Sequence, residues 1–179
     1  MTLYQDKYRI ESTRLRGWDY RSRSWYFVTI CAFNRTSVFG EIIEGNVCLT
    51  RIGQVAESDL QTLAEHYDNV HIDAHVVMPN HVHAIVMIDG AHGFSSKVKA
   101  NLNLRLGTFV SPAAGSLSAI VRSYKAGVTL KCRDLGFNQQ IWQTRFHDQL
   151  LRGDQVINAV REYICNNPAN WKEDKENRP

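Results

Sequence analysis

Residues 74–88 read Ala74-His75-Val76-Val77-Met78-Pro79-Asn80-His81-Val82-His83-Ala84-Ile85-Val86-Met87-Ile88, two apolar runs joined by a Pro-Asn pair. Runs of this length, rich in β-branched residues and broken by turn formers, predict two antiparallel strands, Val70 to Met78 and His81 to Ile88. At the strand period of two, His81 and His83 leave one face and Val82 the other. Two imidazoles side by side form a two-point claw for a divalent cation, which still needs an oxygen donor and open positions. They are equally readable as inward polar residues satisfied by hydrogen bonds, and their spacing alone does not choose.

Working outward, Trp25 to Phe33 is aromatic and β-branched without Gly or Pro, the pattern of a central strand. Residues 34–46 read as a loop or short hairpin with Gly40 and Gly45, and Val47-Cys48-Leu49 as a small strand. Thr50 caps a helix running to about Tyr67, because Ile52, Val55, Ala56, Leu60, Leu63 and Ala64 recur at helical spacing. Periodicity is lost from Asp89 to about Gly115. Ser116 then caps a second helix with Leu117, Ile120, Val121, Tyr124 and Val128 inward and Arg122, Lys125, Lys131 and Arg133 outward. Ile141 to Leu151 reads as the last strand, and Asp154 opens a helix that Pro168 stops. The order strand, helix, strand, strand, helix, strand, helix predicts an α+β fold. It is a ferredoxin-like split βαβ sandwich: an antiparallel sheet covered by helices on one face, plus an extra C-terminal helix.

The chain of 179 residues, 44% hydrophobic and 22% charged, suits one domain. Three parts are expected: a basic and aromatic arm over 1–24, a single domain over 25–171, and a charged tail over 172–179, with residues 169–179 expected to fray. The arm sets Lys7, Arg9, Arg14, Arg16, Arg21 and Arg23 among Tyr8, Trp18 and Tyr20, a mixture that suits phosphates and unstacked bases but also describes a solvated terminus. The formal net charge of +3 announces no nucleic-acid binder by itself. Cys31, Cys48, Cys132 and Cys165 form no metal-finger or CxxC spacing and read as thiols in a reducing compartment. With no apolar leader and no run long enough to span a bilayer, a cytoplasmic protein without membrane contact is expected.

On the last helix Val156, Val160, Tyr163 and Asn167 fall within one arc flanked by Ile157 and Ile164, so Tyr163 and Asn167 are expected to look inward. A phenol and an amide one turn apart either meet core partners or face a site.

Pro79-Asn80-His81-Val82-His83, Trp142-Gln143 followed by Arg145 and Arg152, and Val160-Arg161-Glu162-Tyr163-Ile164-Cys165-Asn166-Asn167-Pro168 together resemble the HUH-type single-tyrosine transposases. The branch most resembled is the REP-associated tyrosine transposases, relatives of the IS200/IS605 enzymes. The resemblance runs from about Tyr20 to Trp171. It implies that His81, His83 and Asn167 bind Mg²⁺ or Mn²⁺ and that Tyr163 is the nucleophile on the extra C-terminal helix. It also implies a single-stranded DNA substrate recognised beside a hairpin, cleaved and rejoined through a 5′-phosphotyrosine link. Monomer and homodimer are both compatible with it.

His75, His147 and Asp148 are candidates for proton acceptor or for support of the His pair. The family often places an acid before a His in this stretch, whereas Asp148 is followed by Gln149. Arg14, Arg16, Arg122, Lys125, Arg145 and Arg152 are the candidate DNA contacts. Tyr124 is a rival nucleophile, but Val128 sits where its helix would need a metal-binding amide. Of the alternatives, a domesticated hairpin-DNA-binding protein keeps the fold without strand transfer. A histidine-triad hydrolase lacks its third histidine, Ile85 standing there, and a structural zinc site lacks partnered cysteines.

Overall fold

The computed structural model describes residues 3–4, 8–9, 15, 17–90 and 112–177. Of the sequence expectations, Arg14, Arg16 and most of the aperiodic stretch after Asp89 lie outside them. Its strands are β1 Leu3–Tyr4, β2 Tyr8–Arg9, β3 Ser24–Cys31, β4 Gly40–Ile43, β5 Asn46–Leu49, β6 Val70–Met78, β7 His81–Ile88 and β8 His147–Leu151. The helices are α1 Arg51–Thr62, α2 Leu117–Asp134 and α3 Asp154–Asn166.

The main sheet has the order β6-β7-β3-β8, with every neighbouring pair antiparallel. β1 pairs with β2, and β4 with β5, as separate two-stranded ribbons. Setting the ribbons aside, the four main strands stand in the order of a split βαβ sandwich, as the element pattern predicts. Both central strands are buried along most of their length.

Thr50 and Ser116 cap α1 and α2 by accepting from the amides of Gly53 and Ala119. α1 ends at Thr62 rather than near Tyr67, and the chain continues as a 3₁₀ turn over Leu63–His66. The last strand is shorter than expected: Trp142 makes only an isolated bridge to Ala32, and continuous pairing begins at His147.

The sheet separates two apolar clusters. Tyr26, Val28 and Ile30 of β3 and Val82, Ala84, Val86 and Ile88 of β7 pack against Leu60 of α1 and Leu117, Ile120, Val121, Tyr124 and Val128 of α2. The alternate residues, Trp25, Phe27 and Ile85, meet Leu151, Ile157, Val160 and Ile164 on the other face. α1 and α2 therefore share one face, as expected, and the extra helix α3 covers the face from which His81 and His83 project. Among the described residues no helix is long and apolar enough to cross a membrane.

The buried stripe of α3 is rolled from the expected one. Ile157, Ile164 and Asn167 are buried, whereas Val156 and Tyr163 stand 41% and 42% exposed. The isoleucines carry more apolar surface than Val156, so burying them is the more favourable roll. Tyr163 consequently sits at the rim of the helix, half open to solvent.

Candidate active site

The hairpin turn sets the histidines. His81 faces Cys31, and His83 faces Thr29, across the β7/β3 pairing, and both rings are buried. Their centroids lie 4.3 Å apart. Each ring is oriented by a bond at Nδ1: His81 to Asn80 Oδ1 at 2.8 Å, His83 to Thr29 Oγ1 at 3.0 Å. Asn80 spends its Nδ2 on the carbonyl of Glu176, 2.9 Å away, so its Oδ1 accepts and His81 Nδ1 carries the proton. That tautomer leaves the Nε2 of His81 as a bare lone pair.

Among the described residues, His81 Nε2 and Asn167 Oδ1 are buried without a hydrogen-bond partner. Asn167 gives its Nδ2 to the carboxylate of Asp174, which fixes its oxygen as the free end. Orphaned buried acceptors are costly unless something electron-poor meets them, and a cation is such a group. One nitrogen or carboxylate oxygen from each of His81, His83 and Asp174 lies within 4.8 Å of the others. Mixed imidazole, amide and carboxylate donors fit a divalent cation of the Mn²⁺ or Mg²⁺ kind.

Burial pushes the imidazole of His81 down to about 4, against a partly offsetting pull from Asp174. Burial, then the charge of His81, pushes that of His83 down to about 3. Both rings are therefore neutral near pH 7, the state in which imidazole binds metal.

The Tyr163 hydroxyl lies 3.4 Å from His83 Nε2 and 3.3 Å from Asp174 Oδ2. Its ring is held edge-on by Phe27, 5.9 Å between centroids. Burial, and then the neighbouring Asp174 carboxylate, push the phenol up to about 12, so it is protonated at rest.

Asp174 had no signal in the sequence, because it falls in a charged terminal run. The described part of the segment expected to fray, residues 169–177, instead folds back over the site. Trp171 stacks on His81 with 6.0 Å between centroids, and Glu176 pairs with Arg35 and bonds Asn80 through its carbonyl.

Other expected residues lie elsewhere. His75 points to the α1 face and pairs with Glu57 at 2.9 Å. Asp148 is opposite Val28, so it faces away from the His pair, and its charge is felt by Tyr26. His147, opposite Thr29, stands exposed on the same face as His83 but on the edge strand. The amine of Lys125 is committed to the carbonyls of Gln143 and Arg145, at 2.7 and 2.9 Å, and burial pushes it down to about 8. It points into the protein, not to a solvated outer face. Arg122 is half-buried, Arg145 is exposed, and the exposed Arg152 lies over the ring of Trp18 at 5.6 Å. Tyr124 is buried, its hydroxyl donating to the carbonyl of Ala56 at 2.9 Å, and serves the core.

No family model matches the chain. It is similar to an uncharacterised protein of Haemophilus influenzae strain Rd, 34% identical over 168 residues that cover 92% of this chain and 91% of that one. Among solved structures, it is similar to a REP-associated tyrosine transposase bound to a REP hairpin, with a TM-score of 0.59 and 20% identity over 92% of this chain and 77% of that chain. The resemblance to the single-tyrosine transposases read from the motifs thus holds at the level of the fold. The chain belongs to one family with the Haemophilus influenzae protein, and its α+β fold is that of the REP-associated tyrosine transposase.

Proposed function

We propose that this protein is a metal-dependent transposase of single-stranded DNA that cleaves and rejoins strands beside a hairpin through a covalent bond to Tyr163. The observation that carries the reading is the convergence of four groups from two distant parts of the chain, strand β7 and the C-terminal end of α3. The Nε2 atoms of His81 and His83, the free Oδ1 of Asn167 and the hydroxyl of Tyr163 gather on one sheet face under α3. His81, His83 and Asn167 would hold Mg²⁺ or Mn²⁺, with the Asp174 carboxylate as a further donor. Bound there, the cation would draw electron density from non-bridging oxygens of the scissile phosphate.

The oxygen of Tyr163 attacks phosphorus, its proton passing to the Asp174 carboxylate 3.3 Å away, the Nε2 of His83 at 3.4 Å being assigned to the cation. The bond from phosphorus to the 3′ oxygen breaks. The products are a 5′-phosphotyrosine and a free 3′-OH, and because the new ester keeps the energy of the old one, another 3′-OH can reverse the step without ATP. The REP hairpin held by the similar transposase makes hairpin DNA the substrate form to test. Of the candidate contacts, Arg145 and Arg152 are the ones exposed among the described residues, and they are proposed to meet its phosphates.

The test is incubation of labelled hairpin DNA carrying a single-stranded flank with the protein and Mn²⁺. A denaturant-stable adduct is expected, and it should vanish in Tyr163→Phe. A salt-sensitive complex with no adduct in either Mg²⁺ or Mn²⁺ would favour the domesticated binding protein instead.

A further inference from the structure

α3 carries Tyr163, and it is fastened to the sheet by an ion pair on its opposite flank. Arg161 and Tyr163 are two residues apart, about 200° around a helix of 3.6 residues per turn. Ile157, Val160 and Ile164 lie between them and pack on the sheet, and Asn167, also between them, is buried at the end of the helix. The buried stripe is thus a fulcrum, with the guanidinium at one rim and the phenol at the other.

The guanidinium grips Asp73 in a two-pronged fork, Nε to Oδ2 at 2.7 Å and Nη2 to Oδ1 at 2.8 Å. Its third nitrogen bonds Asn158 Oδ1 at 2.7 Å, and its carbon lies 5.7 Å from the ring centre of Trp25. Asp73 is itself a departure from regular pairing. The β6/β7 register shifts between Ile72 and Ala74, making Asp73 the extra residue of a bulge. Bulges re-aim a side chain at the cost of ladder pairing, and here the side chain is aimed at α3.

A partly exposed pair of this kind does little for global stability, so stability alone gives no reason for a bulge, a fork, a helix neighbour and an aromatic face to converge on one guanidinium. A planar fork does resist rotation, because both prongs must break together. A roll of 10° about the helix axis moves a group at the helix rim by about 1 Å. A displacement of that size at a reacting atom is enough to cost about a hundredfold in rate.

We propose that Asp73 and Arg161 form a positioning clasp that sets the roll of α3 and so holds the Tyr163 hydroxyl over the His pair of its own chain. The clasp touches neither DNA nor metal. This inference rests on the reading of Tyr163 as nucleophile, and its test has an arm that does not.

The first arm measures single-turnover adduct formation on hairpin DNA with Mn²⁺ in Asp73→Asn, Arg161→Gln and the double variant. Each single change is expected to slow the chemical step about 10- to 100-fold while Mn²⁺ affinity, DNA affinity and melting temperature stay near wild type. The double variant should be no slower than the slower single, since both remove one clasp. Arg161→Lys, which keeps the charge and loses the fork, should remain slow. Rates within twofold of wild type, or losses that multiply in the double variant, would overturn the clasp.

The second arm uses protein carrying 3-fluorotyrosine, with the residue-163 fluorine resonance assigned by its absence in Tyr163→Phe. The resonance should shift toward the solvent-exposed position in Arg161→Gln. If wild type forms no adduct in any metal, the nucleophile assignment fails and this arm alone decides the clasp: an unmoved resonance rejects it, a moved one keeps it as a device that orients α3.

Discussion

The Nε2 of His81 is buried with no hydrogen-bond partner among the described residues, and two residues on, the Nε2 of His83 meets the Tyr163 hydroxyl at 3.4 Å. One ring keeps an open lone pair while its neighbour faces the proposed nucleophile. That asymmetry is what a cation site beside a reacting oxygen requires, and it can be probed group by group.

Metal affinity should depend on the orphaned acceptors. His81→Ala, His83→Ala and Asn167→Ala are each expected to weaken Mn²⁺ binding at least about tenfold, read by titration of the free-ion paramagnetic resonance signal. Asn167→Asp should retain binding, since it preserves the oxygen donor. Full affinity in Asn167→Ala would remove that residue from the ligand set.

Acid should destabilise the metal-free protein through the His pair. The rings ordinarily titrate near 6.5 when unfolded and are held to about 4 and about 3 in the fold, chiefly by burial. Between those limits the unfolded chain binds more protons, so this contribution is complete above pH 6.5 and is lost as pH falls toward 4 and 3. Urea unfolding should show a loss of about 2 kcal/mol per ring between pH 7.5 and pH 5. His83→Gln should show about half of that slope, and a wild-type stability that is flat over the range would contradict the assignment.

Asp174 holds the phenol proton. In Asp174→Asn the titration of Tyr163, followed by the shift of its fluorotyrosine resonance, should move below its wild-type position of about 12 yet stay above 10. Burial, the larger cause of the shift, remains in the variant. An unmoved titration would mean that the carboxylate is not felt at the hydroxyl.

Lys125 separates packing from DNA contact. Its amine is held by the carbonyls of Gln143 and Arg145, so Lys125→Met should cost about 1–3 kcal/mol of stability by leaving acceptors unmet. The salt dependence of hairpin binding should not change. Arg145→Ala and Arg152→Ala should do the reverse, lowering the salt slope by about one each with little change in melting.

These residues also show what local pattern can and cannot reveal. The β6–β7 hairpin, the caps at Thr50 and Ser116 and the stop at Pro168 were legible because each is a short-range event with its own chemistry. The inward aim of His81, His83 and Asn167 was legible through period and motif. Asp174 was not: a carboxylate amid Lys172, Glu173, Lys175 and Glu176 reads as solvated, and its burial depends on the stack of Trp171 on His81 and the pair of Glu176 with Arg35. Lys125 was misread outward because its carbonyl partners lie 18 and 20 residues away. Asp148 was misplaced because strand parity is set by where β8 begins to pair, opposite Thr29, and one residue of register exchanges the faces.

The most direct test is a crystal structure of the protein soaked with Mn²⁺, read from the anomalous signal of the ion. One strong peak is expected, bonded to the Nε2 of His81, the Nε2 of His83 and the Oδ1 of Asn167, with the Tyr163 hydroxyl beside it. A peak elsewhere, or none while the Nε2 of His81 is bonded to a protein group, would contradict the proposed site.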